Sequence, residues 1–436
     1  MMARYWTKSA LIAAATAMGL SAPASAETKD HVEYRIKKGD TLIDLARKYF
    51  ISPASIPSVM ALNSIRNPRT LQIGSILRVP RKVLSYKRED LRVRASSGDV
   101  TIIADGKTTR PQKDDLVRQG SIIRTSAKGF ISLAGTGNSR VSVPSNSEVR
   151  LISAKRYIIN NAIDFDVRVQ NGRSSIKAPK LKDGERYNVS TPRAVTAVRG
   201  TEFRIGFEQA SELSLTEVTE GNVLVASGGS EVTALEGLGV SATPAGLNDP
   251  ERLLGAPSLV DGSKTQTGKI VELRISPLAG ATGYRTQIAR DATFTEIIAE
   301  TVSQGTEVTF ENIPDGRLSV RSRGIAESGL EGSDRNEGFR RKRIGAEAGL
   351  SDSPFDDAFK FVWETEGEGN SFGAFQMWNV KSPDRLVVDE VGLEADGVYV
   401  SNLEPGTYKW RIATFQIDEG EIFKIWTEPQ ELKITE

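Results

Sequence analysis

Residues 34–50 read YRIKKGDTLIDLARKYF, and this stretch joins two different hydrophobic patterns. Val32, Tyr34 and Ile36 alternate with polar residues, which predicts a β-strand with one buried face. After a break at Lys38-Gly39, apolar residues recur with the i, i+3, i+4, i+7 spacing of an amphipathic helix, at Leu42, Leu45, Ala46 and Tyr49. The stretch therefore predicts a strand, a tight turn and a helix.

The start of this helix and the elements after it also follow from local patterns. The spacing Thr41-x-x-Asp44 matches a capping box, and Asp40 is an alternative N-cap. Ser55-Ile56-Pro57 predicts a second short helix, because proline is favoured in a first helical turn. Residues 76–80, ILRVP, predict a closing strand. The predicted order is strand, helix, helix, strand.

Residues 31–81 resemble a LysM domain. The resemblance rests on HVEYRIKKGDTLIDLARKYF at one end of the module and LNSIRNPRTLQIGSILRVP at the other. Members of this family bind N-acetylglucosamine-containing glycans, peptidoglycan or chitin, in a shallow groove. The resemblance implies the same activity for this module.

The resemblance places the groove between the first strand–helix turn and the loop before the last strand. The implied glycan-binding residues are Gly39, Asp40, Thr41, Leu42, Asn63, Ile65, Asn67 and Leu71. Gly39 lets the backbone approach a sugar closely, and free N–H groups at the helix start can donate to an acetamide carbonyl. Leu42 and Ile65 are expected to receive the acetamide methyl group. Asn63 and Asn67 offer amide donors and acceptors.

A structural interpretation of the same residues is the alternative. Gly39-Asp40-Thr41 then only caps a helix, and Asn63 only ends one; the match over the whole module favours glycan binding. A shallow groove is expected to bind weakly, about 0.1–1 mM, so retention would depend on many repeated sites in the wall. Neutral hydrogen bonds and apolar contacts are expected to dominate, so binding should survive moderate salt.

The first residues of the chain have the features of an export signal. Arg4 and Lys8 precede a short apolar run, and Ala24-Ser25-Ala26 supplies the small residues that a signal peptidase accepts. The apolar run is too short to span a bilayer. We therefore expect a signal peptide over residues 1–26 and a mature protein in the periplasm, associated with the cell wall.

Composition excludes several chemistries. Lys and Arg total 57 against 56 Asp and Glu, and this near-neutral balance argues against general nucleic-acid binding. The chain has no cysteine, which excludes thiol chemistry. It has a single histidine, His31, which excludes or nearly excludes multi-histidine zinc sites and Ser-His-Asp triads. Only carboxylate pairs remain as catalysts, with Glu364, Glu366 and Glu368 as candidates for which a solvated role is favoured. The prediction is a non-enzyme with no cofactor and no metal.

Residues 93 to about 245 show the two-residue alternation and glycine turns of an all-β domain. STPRAVTAVRGTEFRIGF (190–207), followed by VTEGNVLVASGG, resembles the FecR-type periplasmic domain. Members named for the iron-citrate regulator carry an anti-sigma segment and a membrane helix before this domain, where this chain has the LysM-like module. The resemblance therefore implies an exported β-rich domain for contacts with other molecules, without the transmembrane signalling role.

The C-terminal part of the chain contains an internal repeat. VTFENIPDGRLSVRSRG (308–324) aligns with VYVSNLEPGTYKWRIAT (398–414) at an offset of 90 residues, which predicts two copies of one β-sandwich. Both copies resemble fibronectin type III modules. Trp363, Tyr408 and Trp410 are expected in the core, although strand alternation is not expected to bury all three; an aromatic sugar platform is the alternative.

The basic run Arg340-Arg341-Lys342-Arg343 separates the two copies. A solvated linker is the favoured interpretation, and contact with an anionic envelope polymer is the alternative. Residues 82–92 are also expected to be a linker. The full predicted organisation is a signal peptide at 1–26, a LysM glycan-binding module at 27–82, a FecR-type domain at 92–245, a linker at 246–269, and fibronectin type III-like modules at 270–344 and 345–436.

The predicted fold class is multidomain and mainly β, with a small βααβ module, an all-β domain and two β-sandwiches. The predicted function is non-catalytic peptidoglycan binding, with the β-rich domains as a spacer and a surface for an envelope protein partner. An envelope-sensing regulator acting through the FecR-type domain is the alternative, and a carboxylate-dependent glycan hydrolase is less favoured. No nucleic-acid partner and no transmembrane segment after signal cleavage are expected.

Overall fold

The computed structural model of the protein describes residues 30–198, 200–260, 264–394 and 397–435. The predicted signal peptide, residues 1–26, lies outside the described residues. Within the described ranges the chain is multidomain and mainly β, as the sequence predicts. No helix in those ranges is both long enough and apolar enough to cross a membrane.

The N-terminal module has the predicted βααβ order. Its elements are β1 (His31–Arg35), α1 (Leu42–Tyr49), a 3-10 turn (Pro53–Ser55), α2 (Ile56–Leu62) and β2 (Ile76–Pro80). β1 and β2 pair antiparallel, with Val32 opposite Val79. The predicted stripe faces the core, where Leu42, Leu45 and Ala46 are buried. Amphipathic spacing therefore gives both the helix and the face that it buries.

The second domain consists of strands joined by short turns. They are β3 (Tyr86–Arg88), β4 (Leu91–Ser97), β5 (Val100–Ala104), β6 (Lys107–Thr109), β7 (Leu116–Val117), β8 (Ile122–Thr125), β9 (Phe130–Ala134), β10 (Arg140–Val143), β11 (Ser147–Tyr157), β12 (Ile163–Lys177), β13 (Arg186–Ser190), β14 (Val195–Val198), β15 (Glu202–Glu208), β16 (Leu213–Glu220), β17 (Asn222–Ser227), β18 (Ser230–Leu235), β19 (Leu238–Thr243), β20 (Gly246–Leu247) and β21 (Glu251–Arg252). A 3-10 turn, Thr136–Asn138, lies between β9 and β10.

The long strand β12 connects the two sheets of this domain. Its first half pairs with β11 and β13, and its second half pairs with β10 and β15. The change of sheet occurs at Gly172, which has φ +73° and where a Cβ would lie 2.3 Å from the carbonyl oxygen of Asn146. Only glycine fits both the backbone angle and this close approach. The apolar side chains of both sheets form one core between them.

Two β-sandwiches follow. The first sandwich contains β22 (Val271–Arg274), β23 (Ala281–Ala289), β24 (Ile297–Ser303), β25 (Glu307–Phe310), β26 (Gly316–Ala326) and β27 (Arg335–Arg341). The second sandwich contains β28 (Gly345–Ser351), β29 (Ala358–Glu366), β30 (Ser371–Asn379), β31 (Leu386–Leu393), β32 (Gly397–Ser401), β33 (Gly406–Asp418), β34 (Glu421–Trp426) and β35 (Gln430–Ile434). Each has two sheets over a single apolar core.

The two sandwiches are copies of one arrangement. β24-β23-β26-β27 in the first corresponds to β31-β30-β33-β34 in the second, and the aligned sequences occupy equivalent strands. Arg321 donates from Nε to Gln287 Oε1 at 2.7 Å, and the aligned Arg411 donates from Nε to Gln376 Oε1 at 3.1 Å. An equivalent polar contact on equivalent strands supports the internal repeat. Their assignment to the fibronectin type III family stays a prediction.

The three aromatic residues singled out in the second sandwich are all buried. Trp363, Tyr408 and Trp410 are 6%, 4% and 1% exposed. Tyr408 and Trp410 stand two residues apart on β33, so strand alternation points both inward, while Trp363 lies on β29 in the other sheet. The expectation that alternation prevents burial of all three was therefore wrong.

The segments predicted as linkers belong largely to the folded structure. Residues 82–92 contain the end of a 3-10 turn (Arg81–Val83), all of β3 and the start of β4, and Val83, Leu84 and Leu91 are buried. The second segment, 246–269, contributes β20 and β21 to the sheets of the second domain, and Leu259 packs in the core of the first sandwich. The lack of a clear period predicted a linker for the first segment, and a composition rich in Gly, Pro, Ser and Thr predicted one for the second.

The basic run between the sandwiches is neither a solvated linker nor a free patch. Arg340, Arg341 and Lys342 are buried, at 9% exposure or less. Their partners lie in and around both sandwiches: Asp418 for Arg340 (2.8 Å), the Gln266 carbonyl for Arg341 (2.9 Å), Asp315 for Lys342 (3.3 Å) and Glu366 for Arg343 (3.1 Å). Both sequence interpretations of this run were wrong, because neither accounts for carboxylates far away in the chain.

Candidate functional site

The turn between β1 and α1 is closed by Asp40. Its Oδ2 accepts hydrogen bonds from the Lys37 N–H at 2.7 Å and from the Tyr34 hydroxyl at 3.0 Å. Burial and this hydrogen bond raise the pKa of Tyr34 to about 12. Gly39 has φ +91° and its missing Cβ would face open space. The turn therefore leaves an uncovered stretch of backbone at Gly39, next to a carboxylate that is already engaged.

Thr41 is the N-cap of α1, and Asp40 is not. The Thr41 Oγ1 accepts from the Asp44 N–H at 3.1 Å and donates to the Asp44 carboxylate at 2.6 Å. The Leu42 N–H is also engaged, because it donates to the Pro68 carbonyl at 2.8 Å, and the Leu42 side chain is fully buried. Ile43 keeps the first-turn N–H that has no acceptor within the described part of the chain. Leu42 thus aligns the turn and does not offer a contact surface.

Main-chain hydrogen bonds hold the loop before β2 against this turn at two points. The Leu42–Pro68 bond fixes one end. At the other end, the Gly74 N–H donates to the Ile36 carbonyl at 2.9 Å and the Ile36 N–H donates to the Ser75 carbonyl at 3.0 Å. The turn 37–41 and the loop 65–73 therefore run side by side. We call the strip between them the groove.

The two asparagines of the predicted site have different environments. Asn63 donates from Nδ2 to the carbonyls of Val59 (2.8 Å) and Arg78 (2.7 Å), and its Oδ1 accepts from the Arg78 N–H at 2.8 Å. Asn67 is exposed; its Oδ1 accepts from the Arg69 N–H at 3.0 Å, and its Nδ2 has no acceptor within the described part of the chain. Asn63 thus ties α2 to β2, whereas Asn67 retains a free amide donor.

Three apolar side chains line the loop side of the groove. Ile65 and Leu71 are half-buried against the module core, which leaves part of each accessible. Ile73, which is not among the predicted site residues, is 62% exposed, beside the Gly74 whose N–H donates to the Ile36 carbonyl. The sequence feature that could have identified Ile73 is an isoleucine in a loop, between Gln72 and Gly74 and outside any apolar repeat.

We expect the two asparagines to differ in their effect on folding. Asn63→Ala removes three hydrogen bonds and should lower the free energy of unfolding of this module by about 2–3 kcal/mol, at about 1 kcal/mol for each bond. Asn67→Ala, at an exposed loop position, should change it by less than about 0.5 kcal/mol. Amide hydrogen exchange in α1 and β2 measures both variants. Equal protection in the two would contradict the structural role of Asn63.

Family models match two parts of the chain. The LysM domain model matches residues 34–80, which include the turn, the loop and both helices. The FecR protein model matches residues 121–224, from the start of β8 into β17. The chain contains a LysM domain and a FecR domain. Both domains fit an envelope-associated protein, and the LysM domain supports glycan binding in general.

Comparison with whole proteins adds little to this assignment. No curated protein matches the chain. Among solved structures, a candidate anti-sigma factor from Parabacteroides distasonis is 16% identical with a TM-score of 0.26, over 30% of this chain and 59% of that one. The FN1–FN3 domains of chicken CNTN1 are 9% identical with a TM-score of 0.23, over 66% of this chain and 98% of that one. The chain thus spans about 59% of the first of these proteins.

The carboxylates considered for catalysis do not form an isolated pair. Glu366 binds Arg343 at 3.1 Å, while Glu364 and Glu368 are exposed. Within the described ranges, no cluster of three His, Cys, Asp or Glu side chains is arranged to hold a metal ion.

Proposed function

We propose that this protein is a non-catalytic glycan-binding protein of the cell envelope, and that its LysM domain attaches it to peptidoglycan. The observation that carries the proposal is the coincidence of the family match with the groove: the same residues that identify the LysM domain hold the turn and the loop side by side. The FecR domain and the two sandwiches then act as a spacer and as a surface for an envelope partner.

The groove offers the contacts that an N-acetylated sugar needs. In this proposal the free N–H of Ile43 donates to an acetamide carbonyl, and the Asn67 amide donates to a hydroxyl or carbonyl oxygen. Ile65, Leu71 and Ile73 supply apolar surface for the methyl group. The eight predicted contact residues divide into two groups in this proposal. Four contact the ligand: Gly39, Ile65, Asn67 and Leu71. The other four hold the groove in shape: Asp40, Thr41, Leu42 and Asn63.

Export is part of the same proposal. The charged start, the short apolar run and the Ala24-Ser25-Ala26 exit support a cleaved signal peptide and a periplasmic location. Peptidoglycan is then the N-acetylglucosamine-containing polymer within reach.

Co-sedimentation with peptidoglycan sacculi tests the proposal. The wild-type chain should pellet with sacculi, and Gly39→Val should weaken its affinity about tenfold, because a β-branched residue is strained at φ +91° and crowds the groove. Gly106→Val is the matched control: it has φ +74°, open space around the missing Cβ and a position in the distant turn between β5 and β6. It should leave binding unchanged. Loss of binding in both variants, or in neither, would count against the groove.

The same preparations test the absence of catalysis. Sacculi incubated with the purified protein should release no soluble muropeptides above a buffer control, because the chain has no cysteine and only one histidine, and its candidate glutamates are solvated or paired. Released muropeptides would overturn the non-enzymatic assignment.

A second candidate function is envelope sensing through the FecR domain, which the family match over residues 121–224 favours. This function requires a separate protein to carry the signal across the inner membrane. Site-specific cross-linking from exposed FecR-domain positions in cells distinguishes the two. A single membrane-spanning partner whose removal alters transcription would favour the sensor, and cross-links only to wall or outer-envelope proteins would favour the spacer.

A further inference from the structure

We propose that the groove selects an anionic glycan: an N-acetylated amino-sugar polymer that carries carboxylates, in preference to a neutral one such as chitin. This inference rests on the proposed function and specifies its ligand. The observation behind it is an imbalance of charge. Residues 30–85 contain ten Lys and Arg against four Asp and Glu, whereas the whole chain is close to neutral, with 57 against 56.

Four of these cations border the groove on both sides. Lys37 and Lys38 lie in the turn, and Arg66 and Arg69 lie in the loop; all four are exposed. The Leu42–Pro68 hydrogen bond of 2.8 Å holds the two segments together close to these residues. A polymer lying along the groove therefore passes between two pairs of positive charges.

These four cations are not neutralised by the protein. Within the described part of the chain, none of them forms an ion pair with Asp or Glu, and Lys37 instead lies over the Tyr34 ring, 5.9 Å from its centre. The nearest carboxylate in sequence, Asp40, is held by Tyr34 and the Lys37 N–H. The groove is thus bordered on both sides by cations that have no ion pair within the described residues.

Charge is the property that separates the two candidate ligands. Chitin and the glycan strand of peptidoglycan share an N-acetylated sugar backbone, so the free Ile43 N–H, the Asn67 amide and the apolar side chains contact both alike. Peptidoglycan also carries carboxylates, on its peptide substituents and on the lactyl groups that bear no peptide, and exposed cations on both sides attract them. This inference therefore predicts binding that weakens with salt, in place of binding that survives moderate salt, because contacts between exposed charges are screened over about 8 Å at physiological ionic strength.

The experiment uses the full-length mature protein and three insoluble ligands: chitin, carboxymethylated chitin made from the same particles, and peptidoglycan sacculi. The test variant is Lys38→Gln/Arg66→Gln/Arg69→Gln, which leaves Lys37 in place on Tyr34. The control variant, Lys48→Gln/Lys82→Gln/Lys87→Gln, removes the same charge from exposed positions. These lie in the last turn of α1, after β2 and in β3, away from the groove. Binding is measured at about 50 mM and about 500 mM NaCl.

At low salt, the wild type and the control variant should bind carboxymethylated chitin and sacculi about tenfold more tightly than the test variant does. The difference is expected because the test variant loses three solvent-exposed charge contacts. All three proteins should bind neutral chitin equally. High salt should bring the wild type to the level of the test variant on the charged ligands and leave chitin binding unchanged. Hydrogen exchange in α1 establishes that each variant is folded.

The outcomes separate this inference from the function on which it rests. If the folded wild type binds chitin, carboxymethylated chitin and sacculi with equal affinity and no salt dependence, glycan binding stands and the selection of an anionic glycan is wrong. An equal loss in the test and control variants also overturns the inference, because it then reflects net charge and not the groove. If the wild type binds none of the three ligands, the proposed function itself fails.

Discussion

Glu331→Ala is expected to lower the free energy of unfolding of the FecR domain and the first sandwich by about 3–5 kcal/mol, because it removes one of the carboxylates that balance a group of buried guanidinium groups and leaves an excess of buried positive charge. The Glu331 carboxylate has no exposed surface. It binds Arg173 of β12 at 3.0 Å and Arg285 of β23 at 2.8 Å, and it also accepts from Arg323 of β26. One side chain thus joins cations from two domains.

The network around Glu331 is balanced in charge and tied to the backbone. Its members are Arg173, Arg204 and Glu217 in the FecR domain and Arg285, Glu300, Arg323, Glu331 and Asp334 in the first sandwich. Arg204 also donates to the main-chain carbonyls of Glu331 and Gly332 at 2.8 and 2.6 Å. Leu215, Leu253 and Leu330 form an apolar cluster beside it. The two domains therefore share an interface that neither completes alone.

The same network predicts a loss of stability in acid. Burial would raise the pKa of Glu331, but Arg173, Arg285, Arg323 and Arg204 outweigh it and hold that pKa well below its usual range. In Asp334, too, the attraction of nearby guanidinium groups outweighs burial and lowers the pKa to about 2. A depressed folded-state pKa stabilises the fold above the unfolded-state value, near pH 4, and this contribution is lost as pH falls from about 4 towards 2.

Differential scanning calorimetry at neutral pH measures the effect. Glu331→Ala should lower the melting temperature of the joint transition by about 10 °C, or split it into separate transitions for the two domains. Glu307→Ala is the control in the same sandwich: Glu307 pairs with Arg274 at 3.8 Å on the surface, with both side chains more than half exposed, and its loss should shift the melting by no more than about 2 °C. Wild-type melting in Glu331→Ala would show that the interface does not stabilise these domains.

Features specified by neighbouring residues were predictable from the sequence. The stripe from Leu42 to Tyr49 and the Thr41 cap depend only on residues three or four apart, and the structure contains both. The internal repeat was predictable because the two aligned sequences form equivalent strands and keep residues with the same role. Arg321 and Arg411, for example, each donate a hydrogen bond to a glutamine on the neighbouring strand. Local periodicity and self-similarity therefore gave the fold class.

Features that depend on distant partners were not predictable. Arg173 and Glu331 meet although they stand 158 positions apart in the numbering, and no local pattern marks either as a partner of the other. The run 340–343 was wrongly predicted as a solvated linker for the same reason. Its carboxylate partners include Asp315 and Asp418, which lie far away in sequence. A single sequence gives the type of a charged residue, but it does not indicate whether the side chain is solvated or buried in an ion pair.

The candidate site was predictable as a location but not in its chemistry. The turn around Gly39 and the loop around Asn67 are adjacent, as the resemblance implied. The sequence did not show that Asn63 and the Leu42 N–H are already engaged inside the module, since both bonds cross from one segment to the other. The sequence shows the cations that border the groove. Only the structure shows that none of them forms an ion pair within the described residues.

A second buried carboxylate, Asp164, joins the LysM domain to the FecR domain. Its oxygens accept from Tyr157 at 2.6 Å and from Arg186 at 2.9 and 3.1 Å, and Arg81 approaches to 3.7 Å. Arg81 belongs to the 3-10 turn after β2, and it also donates to the Gly184 carbonyl at 2.8 Å. The segment predicted as a flexible linker is thus anchored at its start by an ion pair with the neighbouring domain.

This anchoring predicts resistance to proteolysis that depends on Asp164. Trypsin has four target residues between positions 81 and 88: Arg81, Lys82, Lys87 and Arg88. In the wild type they should be cleaved slowly, because Val83 and Leu84 are buried and β3 pairs with β11. Asp164→Ala removes the buried carboxylate that Arg81 and Arg186 share and should weaken the junction by about 3–5 kcal/mol. Cleavage there, measured by mass spectrometry of the fragments, should then be at least about a hundredfold faster.

The control removes an equivalent charge from the surface. Asp99→Ala breaks an exposed contact with Arg110 at 3.9 Å and should leave the rate of cleavage at 81–88 unchanged. Rapid cleavage of the wild type in this segment would restore the original interpretation as a linker and would place the LysM domain on a flexible tether. Slow cleavage in the wild type, lost only in Asp164→Ala, means that the groove has a fixed orientation relative to the FecR domain. Because such a junction restricts the directions in which the β-rich domains extend from the wall, glycan binding would then also orient the surface available to an envelope partner.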